Sequence, residues 1–165
     1  MTGSTASRDG TMTLTVEVQL VATDEAIPTQ QQLGDWARAA WQDDGRNIGV
    51  VVRVTDEAES RQLNRDFRHI DRPTNVLSFP FDPVPGVGFD HLGDLVVCAP
   101  VVAREASEQG KQPSAHWAHM IVHGMLHLLG HDHEGERQAE EMEALETRIL
   151  TGLGYPAPYA SDENS

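Results

Sequence analysis

The chain has 165 residues, 39% of them hydrophobic and 23% charged, with 12 Lys and Arg set against 26 Asp and Glu for a formal net charge of −14. That length reads as one domain with a real core, and the composition excludes a disordered chain and a membrane protein, because no apolar run approaches the ~18 residues that a span needs. The charge argues against a general nucleic-acid binder, whose hold on phosphate relies on Lys and Arg.

Residues 1–12, "MTGSTASRDGTM", lack the basic-then-apolar order of a secretory signal and read as a disordered tail, with Met12 an alternative start. "TLTVEVQLVA" (13–22) alternates and is rich in β-branched residues, so it reads as a strand. Thr29 with Gln32 three residues later has the form of a capping box, and Leu33, Trp36, Ala37 and Ala40 give the helix that follows an apolar face. "NIGVVVRVT" (47–55) is a second strand. Asp56 caps a helix that runs to about Phe67, with Ala58, Leu63 and Phe67 expected inward. "VLSFPF" is a short strand that Pro80 places near a sheet edge, and "GDLVVCA" (93–99) is a strong one. Pro100 fits the first turn of a helix that Gly110 stops. Pro113 and Ser114 open the next helix, which runs to about Leu129. Residues 136–151 form a last amphipathic helix with Ala139, Met142, Leu145, Ile149 and Leu150 on its apolar face. The order predicts an α/β (α+β) protein, a mixed sheet of about four strands packed with helices, as one domain over 13–152 followed by a C-terminal tail at 153–165. Cys98 is the single cysteine, so there is no internal disulfide, which fits a reducing cytoplasm.

Charge is unevenly spread. Residues 134–165 carry eight acids against Arg137 and Arg148. Residues 61–72, "RQLNRDFRHIDR", hold Arg61, Arg65, Arg68 and Arg72, a third of all the cations. A globally acidic protein can own one local anion-binding surface. Arg61, Arg65 and Arg68 share a helical stripe, which would make a phosphate track; a solvated face of salt bridges is the plainer alternative.

Five of the eight histidines lie in "HMIVHGMLHLLGHDH", residues 119–133. At 100° per residue, His116, His119, His123 and His127 fall in one stripe about 80° wide, and the other faces are apolar. This is a helix buried nearly all round with a seam of histidine. Buried imidazoles need partners for both nitrogens, and a metal ion is the economical one. His119 and His127 stand about 12 Å apart along the axis, too far to share an ion. His123 and His127, four apart, are the better chelating pair. Gly130 lets the chain reverse and return His131 or His133 to the same ion; the longer reach of H-x(5)-H favours His133. Three histidines with a fourth position open is a catalytic arrangement, not a closed structural one. His119 then falls one turn away, as a second-shell residue or merely packed.

"HGMLHLLGHDH" resembles the signature of the YbeY family of bacterial metal-dependent endoribonucleases, and "RPTNVLSFPF", "LGDLVVCA" and "AHWAHMIVHG" resemble that family's other blocks in matching order. The resemblance covers roughly residues 45–150. It implies a single-strand-directed endoribonuclease acting in ribosomal RNA maturation, notably at the 3′ end of the small-subunit RNA, and in ribosome quality control. It implies one zinc ion on His123, His127 and His133, a functional arginine at Arg68, and a fold zincin-like in outline.

Arg68 suits the clamping of a phosphate, since a guanidinium stays charged and binds bidentately; it is too basic to be a general base. Gly124 stands where a zinc protease of the H-E-x-x-H kind keeps the glutamate that takes a proton from water. A peptide or amide hydrolase is therefore the weaker alternative, and a non-catalytic, zinc-stabilised ribosome assembly factor is another. Gly124 can instead allow a close approach of backbone or substrate. Asp132 either orients a ligand histidine from the second shell or caps the turn. The general base is left unassigned. Imidazole suits zinc, nickel, copper and iron alike. The expected partners are single-stranded RNA, ribosomal RNA and the ribosome or its proteins, with no membrane.

Overall fold

The computed structural model describes residues 14–21, 26–41, 48–81, 91–131 and 135–159. Four strands and five helices lie within them: β1 (Leu14–Leu20), α1 (Gln30–Ala40), β2 (Ile48–Thr55), α2 (Glu57–Arg68), β3 (Val76–Pro80), β4 (His91–Cys98), α3 (Ala99–Gln109), α4 (Pro113–Leu128) and α5 (Glu136–Gly152). The strands form one mixed sheet in the order β1-β2-β4-β3. β1 and β4 both run parallel to β2, and β3 pairs antiparallel with β4. The expected α+β architecture with a four-stranded mixed sheet is the one observed. Residues 1–12, including Met12, lie outside the described residues.

Local chemistry accounts for the boundaries. Thr29 and Gln32 form the reciprocal capping box at the start of α1, with Gln32 N donating to Thr29 Oγ1 at 3.1 Å and Thr29 N to Gln32 Oε1 at 2.9 Å. Asp56 Oδ1 accepts from Glu59 N at 2.9 Å and caps α2. Gly110 closes α3 in the left-handed region, at φ 66°. Pro80 ends β3, which is indeed an edge strand, where a missing N–H costs no ladder bond.

β2, at the centre of the parallel run, buries Ile48, Val50, Val52 and Val54, and β4 buries Leu95, Val96 and Val97. α4 lies against this sheet and is buried along most of its length, including Trp117, Met120, Ile121, Val122, Met125, Leu126 and Leu128. So the helix that carries the histidines is the core helix of the protein. Burying apolar area on all its faces, at roughly 25 cal/mol per Å², holds it rigidly enough to serve as a platform.

α2 departs from the expected facing. Ala58 and Phe67 are exposed and Leu63 is half-buried; the buried positions are Ser60 and Asn64. The reason is the segment that follows. Ser60 Oγ donates to Thr74 O at 3.1 Å and accepts from Thr74 N at 3.0 Å, and Asn64 Nδ2 donates to Arg72 O at 2.8 Å. This face of α2 clamps the 69–75 loop through hydrogen bonds rather than packing apolar side chains. His69, left-handed at φ 61°, turns the chain out of α2 and into that loop.

The chain stays packed beyond residue 152, where the sequence alone suggests a tail. The Tyr155 ring meets Trp36 edge-on at 6.2 Å, Pro158 is buried, and Tyr159 enters the functional site.

Candidate active site

The histidine stripe of α4 is real and graded. His116 and His119 are 2% and 7% exposed, while His123 and His127 are half-buried. Their rings climb the helix in steps, with centroids 6.2 Å apart for His116–His119 and His119–His123, closing to 4.6 Å for His123–His127. The last pair is the closest of the three. Nε2 of His123 and Nε2 of His127 face one another at 3.1 Å. Nitrogens about 2.05 Å from a tetrahedral ion sit roughly 3.3 Å apart, so the pair has the spacing such an ion requires.

Glu146, from α5, is the residue that sequence reasoning missed. It is 1% exposed. His123 Nδ1 donates to Glu146 Oε2 at 2.5 Å, Tyr159 Oη donates to Glu146 Oε1 at 2.5 Å, and His119 Nε2 lies 3.3 Å from Oε2. Burial by itself would raise this carboxyl; the hydrogen bonds from His119 and His123, aided by Tyr159, overcome it and draw the pKa down to about 2. Burial pushes the His119 pKa down, which favours the neutral ring; its Nε2 lies beside Glu146 and Tyr159 Oη, and its Nδ1 has no hydrogen-bond partner among the described residues. Burial and the Glu146 charge push the Tyr159 phenol far up, and it remains a donor.

The carboxylate orients a ring. By accepting a hydrogen bond from Nδ1 of His123, Glu146 turns Nε2 of that ring towards His127. A ligating histidine is normally set in this way by a carboxylate on its far nitrogen. A weak signal for Glu146 was present: it sits four residues after Met142 and four before Leu150, the two buried apolar residues of α5. A glutamate in the middle of a buried i, i+4, i+8 stripe calls for partners. His119, His123 and Glu146 each place one ligand atom within 4.8 Å of the others, a group that can hold a metal ion.

An open groove of about 630 Å³ exposes the His123 and His127 rings. Its other walls come from the end of α2 (Phe67, Arg68) and from Thr74 through the β3 residues to Pro80. Arg68 thus lines the same groove as the two histidines. It is exposed, and it makes no ion pair among the described residues. Its neighbours differ. Arg61 binds Asp71 through two bonds, at 2.7 and 3.1 Å, and Arg65 lies 3.8 Å from Asp66 and 3.9 Å from Asp71. The three-arginine phosphate track that the sequence suggests is therefore reduced to Arg68, because Asp71 returns beside α2 and neutralises the other two. Gly130, at φ 100°, reverses the chain after α4 as expected, and His131 N donates to Leu126 O at 2.9 Å. His133 and Asp132 lie outside the described residues.

Gly124 faces the sheet. A Cβ there would stand 2.8 Å from Leu95 Cδ2 and 3.3 Å from Val76 Cγ2. The Gly124 carbonyl also accepts from Ser78 Oγ at 3.2 Å, joining α4 to β3. The missing glutamate thus has a packing cause: helix and sheet leave no room for a side chain at this position. Gly124→Glu is expected to unfold the protein or lower its melting temperature sharply without creating peptidase activity. Gly124→Ala should cost about 1–2 kcal/mol net in denaturant unfolding, since the added methyl presses on Leu95 in a closed core and the roughly 1 kcal/mol that alanine gains over glycine in a helix offsets part of that. An unchanged midpoint for Gly124→Ala would contradict this packing account.

Fold and site together define a class: an α+β protein whose buried helix presents two histidines to an open groove, backed by a histidine–carboxylate cluster able to hold a metal ion, with a guanidinium lining the same groove. The family model described as Endoribonuclease YbeY matches residues 16–154. A relative from Alkalilimnicola ehrlichii, named endoribonuclease YbeY, is 51% identical over 164 residues, covering 96% of this chain and 99% of its own. The solution structure of the Thermotoga maritima protein TM1509 is 24% identical, with a TM-score of 0.49, covering 84% of this chain and 91% of that one. The chain belongs to the endoribonuclease YbeY family. No helix among its described residues is long and apolar enough to cross a membrane.

Proposed function

We propose that the protein is a zinc-dependent, single-strand-specific endoribonuclease that matures ribosomal RNA at the 3′ end of the small-subunit RNA and serves in ribosome quality control, working in the cytoplasm with the ribosome or its proteins as partner. The observation that carries the catalytic part is the contact of His123 Nδ1 with Glu146 Oε2, which turns Nε2 of His123 towards Nε2 of His127, 3.1 Å away. His123 and His127 are the first two ligands, and His133 the third. The inner group of His119, His123 and Glu146 serves as their support, since its atoms are already joined by hydrogen bonds that leave the carboxylate occupied. Bound there, the ion supplies the positive charge that activates water and polarises a phosphoryl oxygen at neutral pH.

The remaining work falls to side chains of this chain. Arg68, lining the same groove, receives the non-bridging oxygens of the scissile phosphate and offsets the charge that builds there during attack. Glu146 holds the His123 ring in place through Nδ1, and Tyr159 and His119 hold Glu146. The ribosomal target comes from the family resemblance, and the charge of −14 supports it. With one arginine available on the groove wall, hold on bare RNA is weak and salt-sensitive, so targeting calls for the ribosome or an adaptor.

The test combines metal analysis of the purified protein with cleavage of a single-stranded oligoribonucleotide. Cleavage is expected to stop on chelation and to return with stoichiometric zinc. Arg68→Glu is expected to lower kcat/KM by about 10²–10³-fold with the metal content unchanged. Full activity in the chelated protein, or in Arg68→Glu, would refute the reading. Equal cleavage of a matched duplex would refute the single-strand part alone.

A further inference from the structure

Phe67 is 63% exposed, at the end of a helix whose periodicity would have turned it inward. Its ring is not adrift. It meets the ring of Phe79, on β3, edge to face, with centroids 5.2 Å apart and planes at 71°. Both rings line the groove that holds His123 and His127. The next residue after Phe67 is Arg68. A large phenyl, braced by a second one and left open to water inside a groove, costs hydration free energy unless something covers it.

Resting on the reading of the groove as a site of RNA cleavage, we infer that Phe67 is a stacking platform for the nucleobase next to the scissile phosphate. Arg68 and the histidine pair set the phosphate between them, so the attached nucleoside must lie along the groove wall, where Phe67 adjoins Arg68 in sequence. A nucleobase is a flat aromatic face, and every base has one, so the contact is tolerant of sequence. It is not tolerant of structure. In a duplex both faces of a base are covered by its neighbours, and none is left for Phe67. The phenyl therefore supplies the single-strand preference, while Phe79 holds it at the correct tilt. Phe67 here is a substrate-binding and specificity residue, distinct in role from Arg68.

The experiment uses the full-length, zinc-loaded protein and a single-stranded oligoribonucleotide cut at one mapped position. Each of the two nucleotides flanking that position is replaced in turn by an abasic ribose. Stacking of one base is worth about 1–3 kcal/mol, or on the order of tenfold in binding. In the wild type, one of the two abasic substrates is expected to raise KM by about tenfold with little change in kcat. Phe67→Ala should raise KM on the intact substrate by about as much, and should no longer respond to the abasic site. Phe67→Trp should restore both KM and the response; Phe67→Leu, apolar but without a flat face, should not. All three substitutions lie on an exposed side chain, and melting curves will show the fold retained. Two results would overturn the inference: an abasic penalty that is the same in wild type and Phe67→Ala, or a Phe67→Leu variant with wild-type KM. In either case zinc-dependent cleavage by the wild type leaves the endoribonuclease reading standing. A wild type that cuts no RNA removes both.

Discussion

His123→Ala is expected to abolish RNA cleavage, by roughly 10³-fold or more, and to leave the protein folded. The size follows from the several kcal/mol of charge stabilisation that a bound cation gives a phosphoryl transition state. The side chain contributes one of the two nitrogens that converge at 3.1 Å, so its loss removes half of the chelating pair. The fold should survive because His123 is half-buried, whereas the apolar residues that seat α4 are untouched. Glu146 loses one donor but keeps Tyr159 and His119, and the expected cost is about 1–2 kcal/mol. Zinc per protein, measured after dialysis, should fall well below one, alongside the loss of cleavage. Wild-type turnover by His123→Ala would place the chemistry elsewhere in the molecule.

Glu146→Gln is the second large effect, and it separates positioning from ligation. The substitution keeps the shape and removes the charge. A glutamine amide accepts hydrogen bonds through one oxygen only, while three donors converge on this site. His123 then loses the acceptor that orients its ring through Nδ1, and its Nε2 is no longer held towards His127. Loss of such a partner typically weakens metal affinity 10–100-fold. Zinc competition with a chromogenic chelator should show that range, with kcat restored in part by excess zinc; no such rescue is expected for His123→Ala. Affinity unchanged in Glu146→Gln would show that the carboxylate has no hold on the metal site.

The same residue predicts a pH signature. Its pKa in the folded protein is depressed to about 2 from an ordinary 4.5. A depressed carboxyl stabilises the fold at pH values above its unfolded pKa, and that contribution is lost as pH falls from about 4.5 towards 2. Wild type should therefore lose its stability advantage over Glu146→Gln across this interval, as read from denaturant midpoints. Midpoints that fall in parallel would assign the acid sensitivity to other groups.

Much of the frame was legible in the sequence because it rests on short-range rules. The capping box at Thr29 and Gln32, the stop at Gly110, the edge position of a strand ending in Pro80 and the reversal at Gly130 depend on the residues beside them, and each stands in the structure. The histidine stripe was legible for the same reason. A helical period converts spacing directly into direction, and the 3.1 Å approach of His123 and His127 follows from it. Membership of the family was legible in the eleven residues around that pair and is shown by the match over residues 16–154.

What the sequence by itself determined, then, is the set of elements, the histidine-bearing helix and the family. The tertiary structure decided everything that depends on residues distant along the chain. It brought Glu146 to His123, although 23 residues separate them, and Tyr159 to Glu146. It turned α2 so that Ser60 and Asn64 hold the 69–75 loop and Phe67 faces the groove, against the apolar pattern. It returned Asp71 to Arg61 and Arg65, leaving Arg68 on the groove wall without an ion pair among the described residues. It showed Gly124 to be a packing residue pressed on Leu95. The physical reason is common to all four. Periodicity records which way a side chain leaves its own element, but the partner it meets there is set by how separate elements pack, and no local spacing encodes that.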